Sequence, residues 1–461
     1  MILKTRIAIG FASAVVLSTA AGAFGVGPQV IYTEVAAHSS SLVPGARDAA
    51  GNPAVTTFLS LQELSMRHDG GEWMIKGQTS QGTTLDAILI RGSGKIGTAF
   101  AQDGQPVQGG AAGELYDFFD TPVPAAWDDF GNIAFSFRAR GGVANRAEKI
   151  ARVVGGVHTL VIQQSDPALG LIDNPPANSG DETFGNSMNS VHLLNDGRVG
   201  FVNTPITNLH SSRYPAFFRG NTSFRQSGIS LIGGEVWDSF DFDDCGGTPD
   251  GNHWFAKGDT ENPNTAIDDI LAVDDVVVLR EGSPVAGAGT PVMRNVIFTR
   301  MLNDGTWFSR GDEANNNDWA VRNGALLARS GDPLPGGETM TDAFAVFTGD
   351  RLGNWLLVTS TDNADANLNQ VLLYNGTVIL ARESDPIDLD GNGLFDDDVF
   401  ISSFQPNDMH LNDDGLIYFL AVLKNGAGTS LGDAFLRMPV PEPATVSLLL
   451  LGGLAGTRRR R

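Results

Sequence analysis

The stretch Trp319-Ala320-Val321-Arg322-Asn323-Gly324-Ala325-Leu326-Leu327-Ala328-Arg329 reads as a strand, a two-residue turn and a second strand. Asn-Gly supplies the positive φ values that a tight hairpin needs. Ser330-Gly331-Asp332-Pro333-Leu334-Pro335-Gly336 follows as an exit, because proline has no N–H to donate to a central ladder. Residues 371–382 repeat the hairpin around Asn375-Gly376 and leave through Ser384-Asp385-Pro386. Looser versions end at Gln105-Pro106, Asp166-Pro167 and Ser283-Pro284.

A second element recurs with the hairpin: an Asn/Asp-rich turn closed by glycine, then apolar residues on alternate positions. It occurs as Asp69-Gly70-Gly71 before Trp73 and Ile75, Asp128-Asp129-Phe130-Gly131 before Ile133 and Phe135, and Asn195-Asp196-Gly197 before Val199 and Phe201. It continues as Asp250-Gly251 before Phe255, Asn303-Asp304-Gly305 before Trp307, Asp350-Arg351-Leu352-Gly353 before Trp355 and Leu357, and Asn412-Asp413-Asp414-Gly415 before Ile417 and Phe419. The closing glycines are separated by 60, 66, 54, 54, 48 and 62 residues. Side chains two and four places after each glycine share one face of a strand, since strand side chains alternate. His253 interrupts the pattern beside Trp254.

Turn, strand, hairpin and exit together make a unit of four antiparallel strands, and seven such units predict an all-β chain folded as a β-propeller. The alternatives are a pair of β-sandwiches or an open repeat array, and the copy near residues 224–240 has a poor exit. The seventh unit stops after a third strand at Ala434-Phe435-Leu436-Arg437-Met438-Pro439. Its fourth strand is expected from the other end of the chain, at residues 29–35 (Gln29 to Val35), which lead to Leu42-Val43-Pro44-Gly45 much as Leu326 leads to Gly336. Such closure hides an edge that would otherwise pair with neighbouring molecules.

Both ends of the chain carry signals. Lys4 and Arg6 precede an apolar run from Ile7 to Ala20, and Ala21-Gly22-Ala23 supplies small residues for cleavage, so residues 1–23 read as a secretory signal peptide. At the other end, Pro441-Glu442-Pro443 is followed by an apolar run from Ala444 to Leu454 and then by Arg458, Arg459, Arg460 and Arg461. This tail resembles the sorting signal of PEP-CTERM proteins, which implies recognition by an exosortase-type processing enzyme at the cell envelope. Arginines after an apolar run stay cytoplasmic, placing the bulk of the chain outside. The run of 14 residues to Thr457 is shorter than the ~20 that span a bilayer comfortably. A short transmembrane helix serving as a transient anchor is therefore expected within 440–461, with the repeat ectodomain at 24–439.

Copies such as Asn195 to Phe201 and Asn412 to Phe419 also resemble a loosely defined group of secreted bacterial proteins with tandem Asn-x-x-Gly-x-x-x-Phe units and interchangeable anchors. That resemblance implies architecture and surface location only.

The chain has 31 basic against 53 acidic residues and a net charge of −22, so nucleic acid and anionic membrane are poor partners. Cations, basic partners or neutral glycans suit the surface better. Cys245 is the only cysteine, so no intramolecular disulfide can form. Asp388-Leu389-Asp390-Gly391-Asn392-Gly393-Leu394-Phe395-Asp396-Asp397-Asp398 resembles a calcium loop, with Asp388, Asp390, Asn392, Asp396 and Asp398 as candidate ligands. Val399 stands where an EF-hand loop would carry glutamate, so Asp398, Asp397 or a neighbouring loop would have to complete the shell.

Asp241, Asp243 and Asp244 lack metal spacing and read as a surface loop. Gly92-Ser93-Gly94-Lys95-Ile96-Gly97 fits a dinucleotide pattern, but no helix follows it, so a hairpin turn is the better reading. The histidines show no zinc spacing, and no nucleophile elbow occurs. The function expected is that of an exported, non-catalytic binding or structural propeller in contact with extracellular polysaccharide or envelope components. The alternative is a polysaccharide lyase or hydrolase using carboxylates at the channel mouth, which as a hydrolase would need two carboxyl groups about 5–9.5 Å apart.

Overall fold

Each of the seven glycine-closed turns joins the first and second strands of a four-stranded antiparallel sheet, and the seven sheets form the blades of a β-propeller. The computed structural model describes residues 27–441 apart from 37, 68–70, 120–124, 177–179, 212–213 and 286–291. Part of the first turn, Asp69-Gly70, is therefore outside the described residues, as are the signal peptide with Ala21 and Ala23, and the tail from Glu442 through Pro443 to Arg458–Arg461. Blades 1 to 6 span 58–102, 115–163, 187–226, 245–280, 293–329 and 346–382. Blade 7 takes three strands from 400–439 and its fourth from Gln29–Thr33.

The first strands of blades 3 and 4, of 6 and 7, and of 7 and 1 lie against one another, so the first strand of each blade faces the central channel. In blade 2 this inner strand is split into Leu115–Phe119 and Ala126–Trp127, both paired with Ile133–Arg140.

Turn chemistry sets these boundaries. Glycines 71, 131, 197, 251, 305, 353 and 415 all have φ between +62° and +100°, the left-handed region that an L side chain resists. The acidic or amide residue at the head of the turn then receives backbone N–H groups. Asp128 Oδ1 accepts from Asn132, Asp350 Oδ1 from Asn354, and Asn412 Oδ1 from Leu416, at 2.8, 2.8 and 2.7 Å. Asn323-Gly324 and Asn375-Gly376 turn the third strand into the fourth with positive φ at both residues. At the exits, Asp166, Asp332 and Asp385 each accept the N–H of the residue three places earlier, at 3.0, 2.8 and 2.7 Å.

Seven apolar clusters make up the core, one between each pair of neighbouring blades. In the layer between blades 7 and 1, Trp73 meets Phe435 at 5.0 Å and Tyr32 at 6.0 Å between ring centroids. The Trp73 ring also lies across the hairpin at residues 92–97, where a Cβ on Gly92 or Gly97 would come within 2.2 or 2.5 Å of it. Those glycines make room for tryptophan rather than for phosphate.

Gln29–Thr33 pairs antiparallel with Ser430–Pro439, with Gln29 opposite Arg437 and Thr33 opposite Ala434. The strand ends at Thr33, short of the Val35 suggested by the apolar pattern, and the Thr33 hydroxyl takes the Val35 N–H at 3.1 Å. The weak exit near residues 224–240 has a structural cause: a small extra hairpin, Leu231–Ile232 with Glu235–Val236, is inserted between blades 3 and 4.

Candidate functional site: the central channel

Bulges in the inner strands turn polar side chains out of the regular alternation. Glu63, Ser190 and Asn407, on the inner strands of blades 1, 3 and 7, have φ of +49°, +53° and +63° and sit where the ladder register shifts. A bulge re-aims a side chain, and non-glycine residues held at positive φ tend to cluster at functional positions. Glu63 holds Lys76 Nζ at 3.2 and 3.3 Å. The Ser190 hydroxyl donates to the Phe242 carbonyl and accepts the Cys245 N–H at 3.3 Å.

Asn407 anchors two arginines of blade 5: its carbonyl accepts from Arg300 at 3.2 Å and its Oδ1 from Arg310 at 3.0 Å. Arg300 also donates to the Met409 carbonyl at 2.7 Å and to the Thr348 hydroxyl at 3.2 Å, linking blades 5, 6 and 7. Asp408 accepts the Leu64 N–H at 2.8 Å, and His410 Nε2 lies 2.9 Å from the Leu64 carbonyl, fastening blade 7 to blade 1.

The sequence reading of Asp241, Asp243 and Asp244 as a surface loop holds for the half-buried Asp241 and the exposed Asp243 but needs correction for Asp244. Asp244 is buried and accepts the Thr299 N–H at 2.9 Å, while Asp243 lines a cavity of about 190 Å³ in the channel with Ser190, His192, Phe298, Thr299 and Arg300. Asp244 leads directly into the inner strand of blade 4, Cys245–Gly247, so the ring draws it inward.

Burial dominates the electrostatics. It pushes Glu63 up to about 7 against the pull of Lys76, with Asp408 and Asp243 adding to the rise. It likewise raises Asp244 to about 7 and Asp408 to about 6. Burial lowers Arg300 to about 10, and no carboxylate among the described residues lies within ion-pair distance of it.

The turn-side mouth of the channel is crossed by side chains. Asp129 of blade 2 accepts from Asn195 of blade 3 and from Asn303 of blade 5, both at 2.7 Å. Arginines tie neighbouring turns together: Arg152, Arg219 and Arg322 donate to the carbonyls of Gly197, Gly251 and Gly353 in the next blades, at 2.6, 3.3 and 3.3 Å. A signal for these ties was present in the sequence. Arg91, Arg152, Arg219, Arg322 and Arg437 all stand on third strands, opposite the third residue after a turn glycine. Glu63, Asn407 and Arg300 had no comparable signal, because a bulge has no fixed spacing.

The acidic loop after blade 6 lies away from the channel. Asp388, Asp390 and Asp397 bring one carboxylate oxygen each within 4.8 Å of one another; Asp396 and Asp398 do not belong to that trio, and Asn392 donates its side-chain amide to Asp390 at 3.0 Å. Asp388 accepts the N–H groups of Gly391 and Gly393 at 2.8 and 2.9 Å. Asn392 Oδ1 accepts the Leu394 N–H at 2.6 Å, and Asp398 holds the Gly426 N–H at 2.9 Å. Asp388 also bridges to Gln29 of the closing strand.

No described helix is long and apolar enough to cross a membrane; the apolar run 444–454 is outside the described residues. A comparison with curated protein sequences finds no match. Among solved structures, the WD40 β-propeller domain of Doa1 is 12% identical, with coverage of 91% of this chain and 99% of that one and a TM-score of 0.34. Trypanosoma rangeli sialidase is 10% identical over 92% of this chain and 60% of its own, with a TM-score of 0.35. A puromycin hydrolase mutant is 10% identical over 81% of this chain and 53% of its own, with a TM-score of 0.42, so this chain spans about half of it. These likenesses concern the ring and carry nothing of the relatives' activities.

Residues 439–461 match the PEP-CTERM protein-sorting motif, a match to the tail that does not extend to the repeats. The motif is consistent with processing by an exosortase-type enzyme. Tail and ring together make this an exported, envelope-sorted protein built on a seven-bladed propeller.

Proposed function

We propose that this protein is a non-catalytic binding propeller of the cell surface or extracellular matrix, whose partners are neutral extracellular polysaccharide or envelope components. The tail would hold the chain briefly with Arg458–Arg461 in the cytoplasm, and the processing enzyme would act at Pro441-Glu442-Pro443. The observation that carries the reading is the state of three channel acids whose burial raises their pKa. Glu63 is committed to Lys76, Asp408 to Leu64 and Asp244 to Thr299, so each serves the ring. A rigid, laced channel suits recognition. The likeness of the repeats to surface proteins with interchangeable anchors agrees with it.

The test is to incubate the full chain with extracellular polysaccharide from an exosortase-bearing bacterium and measure both retention and new reducing or unsaturated ends. Retention without new ends is expected. Steady release of such ends would overturn the non-catalytic reading in favour of a lyase or hydrolase.

A further inference from the structure

The channel cavity closes at one end. His192 stands on the inner strand of blade 3 just before Asn195, and Met301 on that of blade 5 just before Asn303; both asparagines hold Asp129 across the mouth. The cavity thus lies directly behind the crossed side chains. A ligand would reach it from the opposite mouth.

We propose that this chamber binds one neutral sugar unit at the end of a glycan chain, an inference that rests on the polysaccharide-binding reading above and gives that reading a location.

Size sets the first limit. At about 190 Å³ the chamber is below the ~300–1,000 Å³ of sites for drug-sized ligands. It is well above the ~10–15 Å³ that admits a single water, and small enough to favour one sugar ring over several.

The wall sets the second. Ser190, Asp243 and Arg300 line the same space as Phe298, while the Thr299 hydroxyl turns away to that of Ser309 at 3.1 Å. A sugar presents C–H faces that suit an aromatic ring and hydroxyls that both donate to carboxylate and accept from guanidinium. Opposite charges on one wall disfavour simple ions. An anion meets Asp243, the nearby Asp241 and a chain of net charge −22, and a cation meets Arg300, which has no carboxylate within ion-pair distance among the described residues.

His192 forms part of the same wall. It is 8% exposed, its Nδ1 lies 3.3 Å from the Ser190 carbonyl, and its Nε2 has no hydrogen-bond partner among the described residues. A carbonyl only accepts, so Nδ1 carries the proton and Nε2 is a bare acceptor. Burial lowers this histidine to about 4, so the ring stays neutral at physiological pH. The ring lies flat against Gly200, where a Cβ would come within 1.9 Å of Nε2, so His192 closes the blade 3 side of the chamber as a neutral wall.

The test is isothermal titration of the full chain, purified in detergent, with neutral glucan, galactan and mannan hexasaccharides and with an oligouronate as the charged control. Retention on the bulk polysaccharide is measured alongside. At least one neutral hexasaccharide should bind, and Asp243→Asn and Phe298→Ala should each weaken it about tenfold or more. Melting curves check both variants, and the near-isosteric Asp243→Asn decides the matter if Phe298→Ala does not fold. Unchanged binding in Asp243→Asn, or tighter binding of the oligouronate, would overturn the chamber while leaving polysaccharide binding in place. Failure of the wild-type chain to hold any hexasaccharide or polysaccharide would remove both readings.

Discussion

Asn303 of blade 5 donates its side-chain amide to the Asp129 carboxylate of blade 2 at 2.7 Å, although 174 residues separate them. Blades 2 and 5 are as far apart as two blades of a seven-membered ring can be, so one hydrogen bond spans the channel mouth. Turns that close individual blades thereby also close the channel.

That bond gives the first prediction. Hydrogen bonds to charged groups contribute about 1.5–3 kcal/mol. Asn303→Asp replaces such a bond with two facing carboxylates, and urea unfolding at pH 7 should register a loss of about 2 kcal/mol. Equal stability of variant and wild type at pH 7 would mean that the mouth is not held by this contact.

The closing strand gives a second. Tyr32 is buried against Phe58 and Trp73, at 5.4 and 6.0 Å between ring centroids. Truncating a buried aromatic costs about 3–5 kcal/mol, so Tyr32→Ala should lower the melting temperature by several degrees. Deleting residues 29–35 should do more, because Ser430–Pro439 would become an open edge, and light scattering should then show association. A deletion variant that melts like the wild type would show that the ring closes without this strand.

pH acts on the same seam. Glu34, just past the closing strand, is raised from 4.5 to about 8 by burial first, then by its hydrogen bond with Asp433 and by that residue's charge. Gln405 Nε2 donates to the same Asp433 at 2.8 Å, and no basic side chain is among the groups acting on Glu34. A carboxyl raised on folding favours the folded state most below its unfolded pKa. Its contribution should therefore be complete below about 4.5 and lost as pH rises through about 8. Melting temperatures from pH 5 to pH 9 should fall in the wild type and fall less steeply in Glu34→Gln. Parallel slopes would exclude Glu34 as the source.

Calcium is the fourth. If Asp388, Asp390 and Asp397 hold the ion, millimolar calcium should raise the melting temperature through selective binding to the folded state, and chelation should reverse the gain. Asp390→Asn and Asp397→Asn should abolish the response. Because Asp388 bridges to Gln29, hydrogen exchange of the closing strand should slow as calcium is added. A flat melting temperature across the titration would leave the loop as acidic surface.

Much of the ring was legible in the chain. The positive-φ glycines, the Asn-Gly hairpins and the Asp-Pro exits act through neighbours a few residues away, so their chemistry can be read locally. Trp73 was legible as an inward-facing residue through alternation, though not as the partner of Phe435. The acidic trio was legible only in part. Its spacing pointed to Asp388 and Asp390 and left Asp397 or Asp398 to complete the shell; the chain's path brings Asp397 to them and uses Asp398 to hold Gly426. The channel was not legible. Asp244 looked like a solvated loop residue, and Glu63, Asn407 and Arg300 carried no mark at all.

The sequence by itself determined the repeat, the strand order within each blade, the expected export signals and the seam where the last blade runs short, because all of these depend on local backbone preferences and period-two alternation. Only the tertiary structure decided what faces the channel. A bulge reverses the side-chain direction that alternation would assign, and the partners it meets come from blades far away in the chain: Arg300 with Asn407, Leu64 with Asp408, Asp129 with Asn303. Ring closure sets those distances, and no segment short of the whole ring contains them.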